Sequence, residues 1–124
     1  MTAKISKSGL QPRCKLWISR GDAAGAFGDG KWRLLMAISR EGSLQGAARS
    51  LTISYRKAWG DLRKAEASLG CQLVDRHRGG RSGGDMQLTA MGEQWLQQYG
   101  DFRRGVERAV SQVFEECFNE DSFR

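Results

Sequence analysis

The chain has 124 residues, 40% of them hydrophobic and 27% charged, with 20 Lys and Arg against 14 Asp and Glu, for a formal net charge of +6. The composition is that of a folded domain and the length is one domain's worth, which excludes multidomain enzyme architectures with separate cofactor and substrate halves. Its longest apolar run, Leu34–Ile38, is too short to span a bilayer, and Met1 to Leu10 lacks the apolar stretch of a signal peptide, so a cytoplasmic protein with no membrane partner is expected.

Charge is unevenly spread. Residues 1–81 hold 16 basic and 6 acidic side chains, net +10, whereas residues 82–124 hold 4 and 8, net −4. A polyanion is drawn to the first part and repelled by the second, so a binding surface is expected in the first part. Cys14, Cys71 and Cys117 match neither a disulfide framework nor metal-ligand spacing and are expected to be free thiols.

Met1 to Pro12 is polar and basic and reads as a flexible arm (1–12). Arg13 to Arg20 alternates, with Cys14, Leu16 and Ile18 on one face and Lys15, Trp17 and Ser19 on the other, the period of a short strand. Gly21 to Gly30 carries four glycines in ten positions and reads as a loop. Lys31 to Arg40 sets Trp32, Leu35, Ile38 and Ser39 along one side, with Leu34 adjacent, as a helix packed on a core does. Ser43 then stands as an N-cap before Leu44, Ala47, Ala48 and Leu51, spaced i, i+3, i+4 and i+7.

After Thr52 and Ile53, Ser54 caps a third helix that runs to about Leu69 and stops at Gly70. Its inner side gathers Ala58, Trp59, Leu62, Ala65, Glu66 and Leu69, with Tyr55 at the edge; Trp59 is turned toward the core, with contact to a base or sugar as the alternative. Arg56, Lys57, Gly60, Arg63 and Lys64 fall opposite with no acid among them. A short Ala-rich helix, a tight turn and a helix with a cationic outer face match the layout of a helix-turn-helix whose second helix lies against DNA.

Leu73 to Arg78 and Met86 to Thr89 read as two strands joined by the Gly-rich tip Gly79 to Asp85, a wing that offers Arg76, Arg78 and Arg81 to phosphates or a minor groove. From Thr89, a further N-cap, Trp95, Tyr99, Phe102, Val106, Ala109 and Val113 recur at spacings of 4, 3, 4, 3 and 4, an a/d seam that predicts a dimerisation helix over 90–118, with a short tail at 119–124. The alternative is a break at Gly100 or Gly105 that folds the segment back. The expected fold is therefore mainly α with a small β-hairpin: a winged helix-turn-helix over 13–89 and a long C-terminal dimerisation helix.

Catalytic readings fail on context. Gly80-Arg81-Ser82-Gly83-Gly84 fits G-x-S-x-G, yet the loop joins two short strands and lacks the strand, helix and large sheet that a nucleophile elbow needs. The same loop lacks the Lys-Ser/Thr ending of a P-loop, and His77 has no Cys or His at metal-ligand spacing. Glu115, Glu116, Glu120 and Asp121 read as a solvated acidic terminus. No enzyme activity, cofactor or metal is expected.

Lys15-Leu16-Trp17, Gly42-Ser43-Leu44 with Ala47-Ala48-Arg49, Ile53-Ser54-Tyr55-Arg56-Lys57-Ala58-Trp59, the wing from Leu73-Val74-Asp75-Arg76 to Gly84, and Leu88-Thr89 with Gly92 carry a resemblance to the N-terminal domain of the ModE-like molybdate-responsive regulators, relatives of the LysR-type winged helices. The resemblance covers nearly the whole chain and implies sequence-specific binding of double-stranded DNA by a homodimer. Members of that family continue into a molybdate-binding part. The chain stops at Arg124 with no residues matching that part, so molybdate binding is not carried over, and a link to molybdenum comes through kinship alone.

The expected division of labour follows from the residues. Ser43 and Ser54 bring two helix N-termini near phosphates. Arg56 and Lys57, with Tyr55 beside them, meet base edges in the major groove. Arg76, Arg78 and Arg81 add affinity that weakens with salt. The rival functions on this scaffold are a protein-interaction module and a non-specific architectural DNA binder.

Overall fold

The computed structural model describes residues 9–21, 25–77 and 85–118. Antiparallel strands β1 (Trp17–Ser19) and β2 (Gly25–Gly28) lead into helices α1 (Asp29–Glu41), α2 (Leu44–Leu51) and α3 (Tyr55–Leu69). A second antiparallel pair, β3 (Val74–His77) and β4 (Asp85–Leu88), precedes α4 (Ala90–Cys117). The mainly helical fold with a small hairpin and a long last helix is the one expected. The described residues form two compact units, one within Leu16–Gly100 and one of residues 9–15 together with residues 101–118.

In the larger unit, α1 buries Leu34, Leu35, Ala37 and Ile38, α2 buries Leu44, Ala47 and Ala48, and α3 buries Ala58, Leu62 and Ala65. Alanines at the facing positions of α2 and α3 let the two helices approach closely. Ser43 and Ser54 are the expected N-caps: each hydroxyl accepts a backbone N–H, from Gly46 and Lys57 respectively, at 3.0 Å. The turn between them is tightened by Thr52, which ends α2 at φ 59°, a left-handed conformation uncommon for a β-branched residue.

Strand β2 lies where glycines had suggested a loop. Gly28 pairs with Trp17, and a Cβ added at Gly28 would stand 2.8 Å from the Cβ of Trp17 and 3.0 Å from the Leu16 carbonyl oxygen. The missing side chain admits a close backbone approach within a strand pair. Between the glycines, Phe27 is completely buried. The strand predicted over 13–20 is regular only at β1, and Ser39, expected on the inner side of α1, is exposed.

Helix α4 runs unbroken through Gly100 and Gly105, 28 residues and roughly 40 Å long. Its first turns belong to the core of the larger unit. Tyr99 is 1% exposed, and its ring centroid stands 5.2 Å from that of Phe27 and 5.5 Å from that of Trp32. The Tyr99 hydroxyl lies 2.7 Å from Asp29 Oδ1 and 2.9 Å from the Leu16 carbonyl oxygen. Trp95 packs on Phe27 at 5.0 Å, and the Trp32 indole N–H donates to the Leu96 carbonyl. Trp95 and Tyr99 are therefore corrected from pairing residues to core residues: the apolar period is right, but this stretch of the stripe is covered by the chain's own α1 and β2. In the smaller unit, the Arg103 guanidinium donates to the Cys14 carbonyl and pairs with Glu107 at 2.6 Å.

Candidate nucleic-acid interface

The helix-turn-helix is α2, the turn Thr52–Ser54 and α3. Because the apolar stripe of α3 is turned inward, Tyr55, Arg56, Lys57, Arg63 and Lys64 are all exposed. Tyr55 retains half its surface in solvent at the first turn of α3. Helix geometry leaves the first-turn amides without i−4 acceptors. Ser54 Oγ takes that of Lys57, while the amides of Tyr55 and Arg56 precede it at the end where the dipole is positive.

The outer face is less uniformly cationic than the sequence suggested. Asp61, four residues after Lys57, accepts from the Lys57 ammonium at 3.2 Å, with the Lys57 and Asp61 side chains 61% and 30% exposed. Arg56 has no such partner among the described residues, so the two adjacent cations expected to read bases differ in their surroundings.

The wing is fastened to α3 in part by Glu66, a residue given no binding role from sequence. Glu66 Oε2 accepts from the Leu73 amide at 2.8 Å and the Val74 amide at 3.4 Å, holding the start of β3 beside the last turns of α3. The Arg76 guanidinium carbon lies 4.1 Å over the centroid of the Trp59 ring. Trp59 precedes Glu66 by seven residues, about 10 Å along the helix. Strand β3 therefore runs back along α3 toward its N-terminal half. Opposite, the Met86 amide donates to the Gly42 carbonyl, and Thr89 Oγ1 donates to the Gln72 carbonyl while accepting from the Gly92 amide. An acid within an apolar helical stripe, as Glu66 is, was the signal available in the sequence.

Of the expected site residues, Ser43, Ser54, Tyr55, Arg56, Lys57 and Arg76 fall on the helix-turn-helix and the wing base of one compact unit, and Trp59, expected to face the core, is half-buried beneath Arg76. Arg78 and Arg81 lie outside the described residues, as does the side chain of His77. Phe102, Val106, Ala109 and Val113 lie on the later turns of α4, with Phe102 47% and Val113 55% exposed. Among the described residues no group of Cys, His, Asp and Glu is arranged to hold a metal, and no helix is long and apolar enough to cross a membrane.

Two helices joined by a tight turn, the second carrying exposed cations and flanked by a two-stranded wing, define the winged helix-turn-helix class of DNA-binding regulator domains. The chain belongs to the bacterial regulatory helix-turn-helix proteins of the lysR family, which it matches over residues 30–93. It is 32% identical over 121 residues to the molybdenum-pterin-binding protein MopB of Rhodobacter capsulatus, a match covering 98% of this chain and 44% of that protein. It is 34% identical over 90 residues to the transcriptional regulator ModE of Haemophilus influenzae, covering 73% of this chain and 35% of that one. The chain thus spans less than half the length of these curated relatives. In structure it resembles the DNA-binding domain of CbnR solved with DNA, with a TM-score of 0.59 and 21% identity over 72% of this chain and 97% of that one. The ModE-like resemblance read from the residues is borne out. The family is one of regulators rather than enzymes.

Proposed function

We propose that this protein binds double-stranded DNA sequence-specifically as a homodimer on a palindromic site and regulates transcription there. The observation that carries the reading is the exposed cationic N-terminal half of α3, with the wing strand β3 fastened alongside it. Arg56, exposed and without an acidic partner among the described residues, is the residue assigned to base edges, where a bidentate contact to guanine discriminates by about 1–3 kcal/mol. Lys57 joins it by exchanging Asp61 for DNA, at little cost because an exposed i,i+4 pair is worth about 0.3–0.5 kcal/mol. Ser43 and Ser54 keep the two helix N-termini in register with the phosphates. Arg76, Arg78 and Arg81 supply affinity that is independent of sequence and falls with salt.

Pairing is assigned to the later turns of α4 through Phe102, Val106, Ala109 and Val113. Two copies then address half-sites about 34–36 Å apart or a multiple of that. No molybdenum ligand is carried over from the name of MopB, because this chain spans less than half of that protein. The test is a fluorescence-anisotropy titration on genomic and random duplexes at two salt concentrations. Wild type is expected to prefer a subset of genomic fragments, Arg56→Ala to lose that preference, and Arg81→Ala to weaken all duplexes alike. Equal binding to every duplex would point to an architectural DNA binder, and no binding would point to a protein-interaction module.

A further inference from the structure

We infer that Trp59 is a positioning residue for DNA binding: its indole face holds the Arg76 guanidinium so that Arg76 grips the phosphate backbone beside α3. This rests on the DNA-binding reading above and gives Trp59 a role distinct from both core packing and direct contact with a base or sugar.

The stack itself comes first. Arg76 Cζ stands 4.1 Å over the Trp59 ring. A guanidinium lying on an aromatic face uses its π surface for the contact and leaves its in-plane N–H donors at the rim, where they match a phosphate. Among the described residues no carboxylate takes those donors. A free Arg on a short exposed strand would sample many rotamers, and the stack removes much of that freedom before any ligand arrives.

The stack is also anchored. Glu66 fixes the start of β3 through the Leu73 and Val74 amides, so the strand is tied to α3 at two points about two helical turns apart. The buried Ala58, Leu62 and Ala65 complete the inner stripe of α3, while Trp59 stays half-buried, its position shared between the core and the guanidinium.

Two of the four helix positions that adjoin Trp59, at the boundary between the inner and outer sides of α3, carry cations. These are Arg56 and Arg63, at i−3 and i+4 from Trp59. Arg56 and Arg63 are seven residues apart, about 10 Å of helix, and Arg76 is held over the indole of the residue between them. Asp61 is bound to Lys57. Like charges so placed are unfavourable alone and are relieved by a polyanion laid along them.

The experiment measures Kd by anisotropy for one selected and one random duplex between 50 and 200 mM NaCl, with thermal unfolding of each protein followed in parallel. Arg76→Ala is expected to lower the log–log salt slope by about one on both duplexes. Trp59→Leu is expected to lower it as far, although it removes no charge, and the double variant to bind no worse than Arg76→Ala. A Trp59→Leu protein with the wild-type slope and reduced thermal stability alone, or single losses that add in the double variant, would overturn the inference. Should Trp59→Leu fail to fold, Trp59→Phe and Arg76→Lys decide. Each is expected to weaken binding roughly two- to fivefold, the scale of one cation–π contact, and wild-type affinity in both would overturn it. Wild type binding neither duplex would remove the DNA-binding reading and this inference with it. Wild type binding normally while the variants keep its slope and affinity would remove this inference alone.

Discussion

Tyr99→Phe separates the two jobs of α4. The tyrosine is 1% exposed, and its hydroxyl is 2.7 Å from Asp29 Oδ1 and 2.9 Å from the Leu16 carbonyl. One phenolic proton serves one acceptor at a time, and the shorter contact is to the carboxylate. The Leu16 carbonyl also accepts the Asp29 amide at 3.3 Å, so it keeps a donor when the hydroxyl is removed. The loss is thus chiefly one hydrogen bond to a charged group in a half-buried setting, about 1.5–2 kcal/mol. With a Tm shift of roughly 4 °C per kcal/mol for a domain of this size, Tm is expected to fall by about 6–8 °C. Because unfolding of a dimer depends on concentration, the melts are run at several protein concentrations and the monomer–dimer equilibrium is measured separately by sedimentation. Tyr99→Phe is expected to lower stability at every concentration and to leave association unchanged, whereas Val113→Asp, on a side chain 55% exposed, is expected to weaken association and spare the fold. A Tyr99→Phe protein with wild-type Tm and weakened pairing would return Tyr99 to the seam and refute its assignment to the core.

Three further substitutions test the scaffold around the interface. Gly92→Ala would push a Cβ into the Leu73 carbonyl oxygen, which already accepts the Thr89 amide, so a backbone shift costing about 1–3 kcal/mol is expected and a urea melt measures it. Thr52→Gly relieves a left-handed φ of 59° that costs a side-chain-bearing residue about 1–2 kcal/mol, partly offset by the added freedom of glycine when unfolded; a rise in stability of up to about 1 kcal/mol is expected from the same melt. Asp61→Asn removes the Lys57 partner and one negative charge from the outer side of α3, so binding to random duplexes is expected to tighten and to become more salt-dependent in an anisotropy titration.

Helix ends and apolar periods were readable because each is set by a few neighbouring residues. Ser43, Ser54 and Gly70 stop and start helices through their own side-chain or backbone preferences, and all three act where the sequence puts them. Strand β2 was not readable, since Gly25 and Gly28 signal a loop locally and a strand only beside Trp17, whose packing needs their missing Cβ atoms. Trp95 and Tyr99 failed for another reason: a 4-3-4 spacing defines an apolar stripe but not its occupant, and here β2 and α1 supply the cover. Asp61 and Glu66 show the same limit for charge. A helical wheel assigns each to a side, but the partners of Glu66, the Leu73 and Val74 amides, belong to a strand that only folding brings near.

Moving Trp95 and Tyr99 into the core changes what pairing can be. The stripe left for a second copy runs from Phe102 to Val113, twelve residues and about 16 Å of helix, with Ala109 offering little apolar area. A seam of three turns holds few knobs and holes, far below the three to four heptads of a self-sufficient coiled coil. Association through it is accordingly expected to be weak without DNA. A duplex with two half-sites raises the effective concentration of the second copy once the first is bound, so pairing and site binding reinforce each other without any further contact. Palindromic DNA should then bind with a steeper dependence on protein concentration than a single half-site does. Identical steepness on the two duplexes would mean that the copies do not meet through α4.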